Sequence, residues 1–107
     1  MENSKKFTLE QARDLLPWLF EASKEAEAKL LKVRQNPGDP ETAQAQIHQI
    51  IQHWAETVFK LGAIPKQPFT VDLDSGTDYF CWQFPERTLS FRHDYYKGFQ
   101  GRHKIEE

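Results

Sequence analysis

The apolar residues of this chain change their spacing once, and that change limits the folds open to it. From Leu9 to Leu61 they recur at steps of three and four, the period of one helical face. Beyond Pro65 and Pro68 they alternate with polar residues, the period of a strand with one buried side. Helices in one half and strands in the other define an α+β arrangement, not a series of parallel βαβ units.

The helical half divides in two. Thr8 and Gln11 have capping-box spacing, and Phe7 and Ala12 stand where a hydrophobic staple would form. Leu9, Ala12, Leu16, Leu19, Ser23, Ala26, Leu30 and Val33 make one stripe. Glu25 and Lys29 form a favourable i,i+4 pair. Pro17 falls inside this stripe. Because the stripe continues through it, a kinked helix over residues 8–35 is expected, with a break after residue 16 as the alternative. Asn36-Pro37-Gly38-Asp39-Pro40 separates the helices, with Asp39 as a cap and Pro40 in the first turn. Ile47, Ile50, Ile51, Trp54, Val58 and Leu61 form the second stripe, over residues 40–61, and Gly62 suits its C-terminal end. So short a connection favours an antiparallel hairpin, spanning residues 7–62.

In the second half, Phe69, Val71 and Leu73 alternate with Thr70, Asp72 and Asp74. Phe80, Trp82 and Phe84 alternate with Cys81 and Gln83, and Leu89, Phe91 and His93 with Ser90 and Arg92. Ser75-Gly76-Thr77 and Pro85-Glu86-Arg87 are the turns. The expected architecture is an antiparallel two-helix hairpin packed on a three-stranded antiparallel β-meander. Asp94 to Glu107 reads as a loop that wraps back. With 107 residues, residues 1–107 are expected to form a single domain, the meander and C-terminal loop occupying 68–107.

Composition excludes several function classes. A net charge of −2 gives no electrostatic footprint for nucleic acid, although Tyr95, Tyr96 and Phe99 interleave with Lys97, Arg102 and Lys104. No apolar run is long enough to cross a bilayer, so no membrane partner is expected. Met1 to Lys6 has no apolar core and is not read as a signal peptide. Cys81 is the single cysteine, which excludes an internal disulfide and a Cys-x-x-Cys framework and suits a reducing cytoplasm.

A resemblance extends along most of the chain. Asp72, Cys81-Trp82, His93-Asp94 and Gly98-Phe99-Gln100-Gly101-Arg102, with the opening Phe7-Thr8-Leu9-Glu10-Gln11-Ala12 and Leu15-Leu16-Pro17, resemble a prokaryotic domain-of-unknown-function family, the one numbered twenty-two-oh-three. Asp94 stands where that family usually has Glu, and the segment from Asp72 to Cys81 is shorter than usual. The resemblance implies an architecture and assigns no activity.

One constellation has chemical content: the candidate polar cluster Asp72, Cys81, His93, Asp94 and Arg102. Thiolate, imidazole and carboxylate together suit zinc or another divalent transition metal. Strand parity argues against the full set. A two- or four-residue connection places His93 on the face of Phe80, Trp82 and Phe84, and Cys81 on the opposite face with Asp72, Ser90 and Arg92. Only a bulge or an odd connection joins Cys81 to His93. On this reading Cys81 is a small buried hydrophobe, and no metal ligands, cofactor or catalytic residues are assigned. A Cys81–His93 nucleophile fails on the same parity. His48 and His53 are about 140° apart on their helix and cannot share a metal. The glycines of Gly98–Arg102 can expose amides to an anion. The alternative is that Phe99 anchors the loop beside Trp82 and Arg102 pairs with Asp72 or Asp94. The function expected is a non-enzymatic interaction or self-association module, a homodimer through the hairpin or a complex with a protein partner. The alternative is a small metal- or anion-binding domain using His93, Asp94 and Arg102.

Overall fold

The computed structural model describes residues 5–107. The polar stretch read at Met1 to Ser4 lies outside them. Helix α1 runs over Leu9–Gln35, uninterrupted at Pro17, and α2 over Pro40–Lys60. The Thr8 hydroxyl accepts from the Gln11 amide at 3.1 Å, and the Gln11 side chain accepts from the Thr8 amide at 3.0 Å. That reciprocal pair satisfies two of the free donors at the helix start. Asp39 caps α2 by accepting from the Thr42 amide at 3.0 Å.

The two apolar stripes face each other and bury Leu19, Ala26, Leu30, Ala43, Trp54 and Val58. Ser23 belongs to this seam for a reason its polarity conceals. Its hydroxyl accepts the Trp54 indole N–H at 2.8 Å in the interior, so neither buried polar group is left unpaired.

The sheet has five antiparallel strands in the order β1-β2-β3-β4-β5: Ile64–Gln67, Thr70–Asp74, Tyr79–Gln83, Phe91–His93 and His103–Lys104. The expected three-stranded meander is therefore its centre, and two edges are added. Pro65 reads as a breaker, but β1 is an edge strand, where a residue without an N–H is tolerated. In the tail, the two-residue β5 is too short for a periodic signal. It pairs Phe91 with Lys104 and Arg92 with His103. Val71, Leu73, Phe80, Trp82 and Leu89 are buried against the hairpin in one hydrophobic cluster with Leu19, Trp54 and Val58. Leu89 holds its core position from the connection, since β4 begins only at Phe91.

Strand parity differs from the expectation. Tyr79 pairs with His93, Phe80 with Arg92 and Cys81 with Phe91. The connection spans residues 84–90, an odd number. Glu86 fixes its path: its amide donates to the Gln83 carbonyl at 2.8 Å, and its own carbonyl accepts the Trp82 indole N–H at 2.8 Å. Phe91 and His93 consequently share a face with Cys81, not with Phe80 and Trp82.

That second face is not solvated either. Thr70, Asp72, Asp74, Cys81 and His93 on it are all buried. Residues 94–102 fold across it. The Tyr95 ring meets Tyr79 edge-on at 4.8 Å. The Arg102 guanidinium lies over Phe91 at 4.0 Å and Phe99 at 4.5 Å.

Candidate functional site

Three adjacent strands bring the site together. Asp72 on β2 is directly paired with Cys81 on β3. His93 on β4 arrives on the same face through the odd connection. One ligand atom from each of Asp72, Cys81 and His93 can be chosen so that all lie within 4.8 Å of one another. All three residues are buried.

The hydrogen bonds of His93 set its orientation. One ring nitrogen, Nδ1, is 2.7 Å from the Asp94 carbonyl oxygen, and the other, Nε2, is 3.0 Å from Asp72 Oδ1. A carbonyl oxygen only accepts, so Nδ1 carries its hydrogen. The Nε2–Oδ1 contact needs a second proton, on either atom, because two lone pairs cannot face each other at that distance. The Asp72–His93 pair therefore holds two protons and is electrically neutral as a unit, which suits a buried position.

Burial pushes the Cys81 thiol up to about 12, and the neighbouring Asp72 charge acts in the same direction. That shift favours the thiol over the thiolate, which is the nucleophilic form. What counts against the nucleophile reading is desolvation and not parity, since parity places Cys81 and His93 on one face.

The other two members of the predicted cluster are engaged elsewhere. The Asp94 carboxylate accepts from the Tyr96 and Lys97 amides at 2.9 and 2.6 Å. Those backbone bonds, chiefly the one from Lys97, hold its carboxyl below the usual range. Only the Asp94 carbonyl touches His93. Arg102 pairs with neither Asp72 nor Asp94. Its Nη2 donates to both oxygens of Glu86, at 2.9 and 2.7 Å. Phe99 is half-buried and stacks on that guanidinium. The glycine loop Gly98–Gly101 is a short 3₁₀ turn that positions Phe99 and Arg102.

Two residues outside the predicted cluster help to close the face. Glu86 anchors Arg102 from a turn, where nothing in its local pattern marks it. Asp74 accepts from the Tyr95 hydroxyl and the Gly76 amide, both at 2.8 Å, and from Lys6 Nζ at 3.1 Å. Burial works to raise the Asp74 carboxyl, but these three bonds outweigh it and hold the group below its usual range. The one sequence signal for this arrangement is the alternation of Asp72 and Asp74 with Val71 and Leu73. Two carboxylates on the reverse face of a core strand require partners when that face is covered. Among the described residues, exposed His48 and His53 on α2 belong to no such cluster.

Fold and site together describe a small α+β protein with a protected polar face. A family model described as an uncharacterised conserved protein, DUF2203, matches residues 5–105. The chain belongs to this family. No curated protein matches the chain, and no solved structure does.

Proposed function

We propose that the protein is a non-enzymatic self-association module in which two copies pair through the helical hairpin. The carrying observation is the unequal reach of the two layers. Helix α1 is about 40 Å long, whereas the longest strands, of five residues, reach about 17 Å. The hydrophobic cluster shared with the sheet extends along the hairpin to Ala26 and Ile50. Leu30 and Ala43, nearer the hairpin tip, are buried outside that cluster. The tip therefore projects as a two-helix arm, and the molecule is 48 Å in its longest dimension.

A groove of about 320 Å³ runs between the helices, lined by Ala22, Glu25, Ala26, Lys29, Ile50 and Trp54 among others. Trp18 stands one turn before Ala22 on the same face of α1 as Glu25 and Lys29 and is 65% exposed. This row is self-complementary. If a second copy lies antiparallel about a two-fold axis level with residue 27, Glu25 of each copy meets Lys29 of the other. Such reciprocal matching is what a two-fold interface requires. The small, half-buried Ala22 permits close helix approach, and Trp18 supplies the apolar anchor.

Light scattering on the full chain tests this reading. A mass about twice 12.6 kDa is expected at high micromolar concentration. Glu25→Lys should shift the protein toward monomer through like-charge repulsion, and the Glu25→Lys/Lys29→Glu double should restore the dimer. A monomer mass for the unmodified chain refutes the proposal, as does a dimer indifferent to both charge changes.

A further inference from the structure

We propose that Asp72, Cys81 and His93 form a binding site for one divalent transition metal ion of the zinc class. The donors are a sulfur, an imidazole nitrogen and a carboxylate oxygen, the set that zinc and cobalt(II) accept together and that magnesium or calcium does not favour. Zinc bonds of about 2.0–2.3 Å put tetrahedral donor atoms about 3.3–3.8 Å apart. The three donors here all lie within 4.8 Å of one another, and the Nε2–Oδ1 pair is at 3.0 Å. Adjustments of less than about 1 Å bring them to bonding positions.

The surroundings of His93 match those of a metal-bound histidine. Its Nδ1–H donates to the Asp94 carbonyl at 2.7 Å, which leaves Nε2 facing Asp72. Ligating histidines are held by this kind of outer hydrogen bond, which fixes both ring orientation and tautomer. The donors also come from three consecutive strands of a sheet covered on both sides. Their positions are therefore set by backbone register and not by loop conformation.

Charge completes the case. Metal binding breaks the Cys81 S–H bond and removes the proton shared by Nε2 and Oδ1, and both protons go to solvent. Bonds then form from the ion to Sγ, Nε2 and a carboxylate oxygen. Two protons exchange for one dication, so the buried net charge is unchanged. A thiolate, a carboxylate, a neutral imidazole and a divalent ion sum to zero, the condition under which an ionic group is tolerated in an interior. Three protein ligands leave a fourth position for water or a small ligand. The Thr70 hydroxyl, on the same face of β2, is buried and has no protein partner among the described residues. An ordered water would satisfy it.

The test is a titration of the chelator-treated full chain with cobalt(II), followed by zinc. One equivalent of cobalt should bind, giving the intense visible bands of a tetrahedral site and a sulfur-to-cobalt charge-transfer band. Zinc should abolish both. Cys81→Ala keeps a small apolar side chain at that position. It should lose the sulfur band and bind zinc at least roughly 100-fold more weakly. Circular dichroism separates loss of the ligand from loss of the fold. A sulfur-free cobalt spectrum in the unmodified chain overturns the proposal even if every variant unfolds. Zinc affinity unchanged by Cys81→Ala overturns it as well, because the ion would then be held at exposed histidines.

Discussion

Replacing Arg102 by alanine removes the link that fixes residues 94–102 over the outer face of the sheet. Three contributions can be sized from the structure. The contacts from Nη2 to both Glu86 oxygens are charge-assisted, with Arg102 12% and Glu86 30% exposed. Breaking such a partly buried pair costs about 1.5–3 kcal/mol. The guanidinium also lies between the rings of Phe91 and Phe99, and losing both contacts costs about 1 kcal/mol. Against this, Arg102 Nε is buried without a partner among the described residues, and relieving it returns about 1 kcal/mol. The net loss is about 1.5–3 kcal/mol. For a chain of this size that lowers Tm by about 6–12 °C. Arg102→Lys keeps the charge but not the planar face between two rings, and should lose about half as much. Thermal melting by circular dichroism measures both variants. Labelling of Cys81 by a disulfide reagent gives a second readout, since loosening the cover should speed it before global unfolding. A loss below about 0.5 kcal/mol for the alanine variant, with Cys81 still protected, would show that the cover does not depend on this pair.

Three further outcomes follow from contacts described above. Trp54→Phe and Ser23→Ala should each destabilise the hairpin by about 1–2 kcal/mol in denaturant titrations. The double variant should cost less than the sum, because the second substitution removes a group already unpaired. Asp74 has a carboxyl held below the ordinary 3.8, so its contribution to stability is complete above that value and is lost as pH falls through the lower, folded-state value. Asp74→Asn should therefore flatten the acid limb of the stability–pH curve below about pH 4, while the unmodified chain loses stability there. At Gly62, φ is +93° and an added Cβ would meet Lys5 Cβ at 3.2 Å. Gly62→Ala should cost at least about 1 kcal/mol in the same titrations.

The helices were legible in the sequence because their signals are local. Thr8 with Gln11, and Asp39 with Pro40, mark starts that need only neighbours three or four residues away. The stripes were equally direct, down to the unbroken passage through Pro17. The sheet was half legible. Alternation identified its central strands, but the edge strands carry no period: β1 contains a proline, and β5 is two residues long. The candidate site depended on register, which pattern alone does not set. Parity between β3 and β4 follows from the length of residues 84–90, and the path of that connection is fixed by the Glu86 amide on the Gln83 carbonyl and the Trp82 indole on the Glu86 carbonyl. The same cause hid the partner of Arg102. Glu86 lies in a turn, where a charged residue ordinarily signals only solvent.

The odd connection between β3 and β4 has a consequence for how this chain tolerates change. A strand has two sides, so one residue inserted into or deleted from positions 84–90 would invert β4. Arg92 would turn to the side of Cys81, and Phe91 and His93 would turn toward the helices. The imidazole would leave the carboxylate and thiol while every residue of the three remained in the chain. Residue identities in that connection can vary where they are neither bonded nor packed in the core as Leu89 is, but its count is constrained modulo two. The polar interior is thus encoded partly in arithmetic, in the number of residues between two strands as much as in the residues that form it.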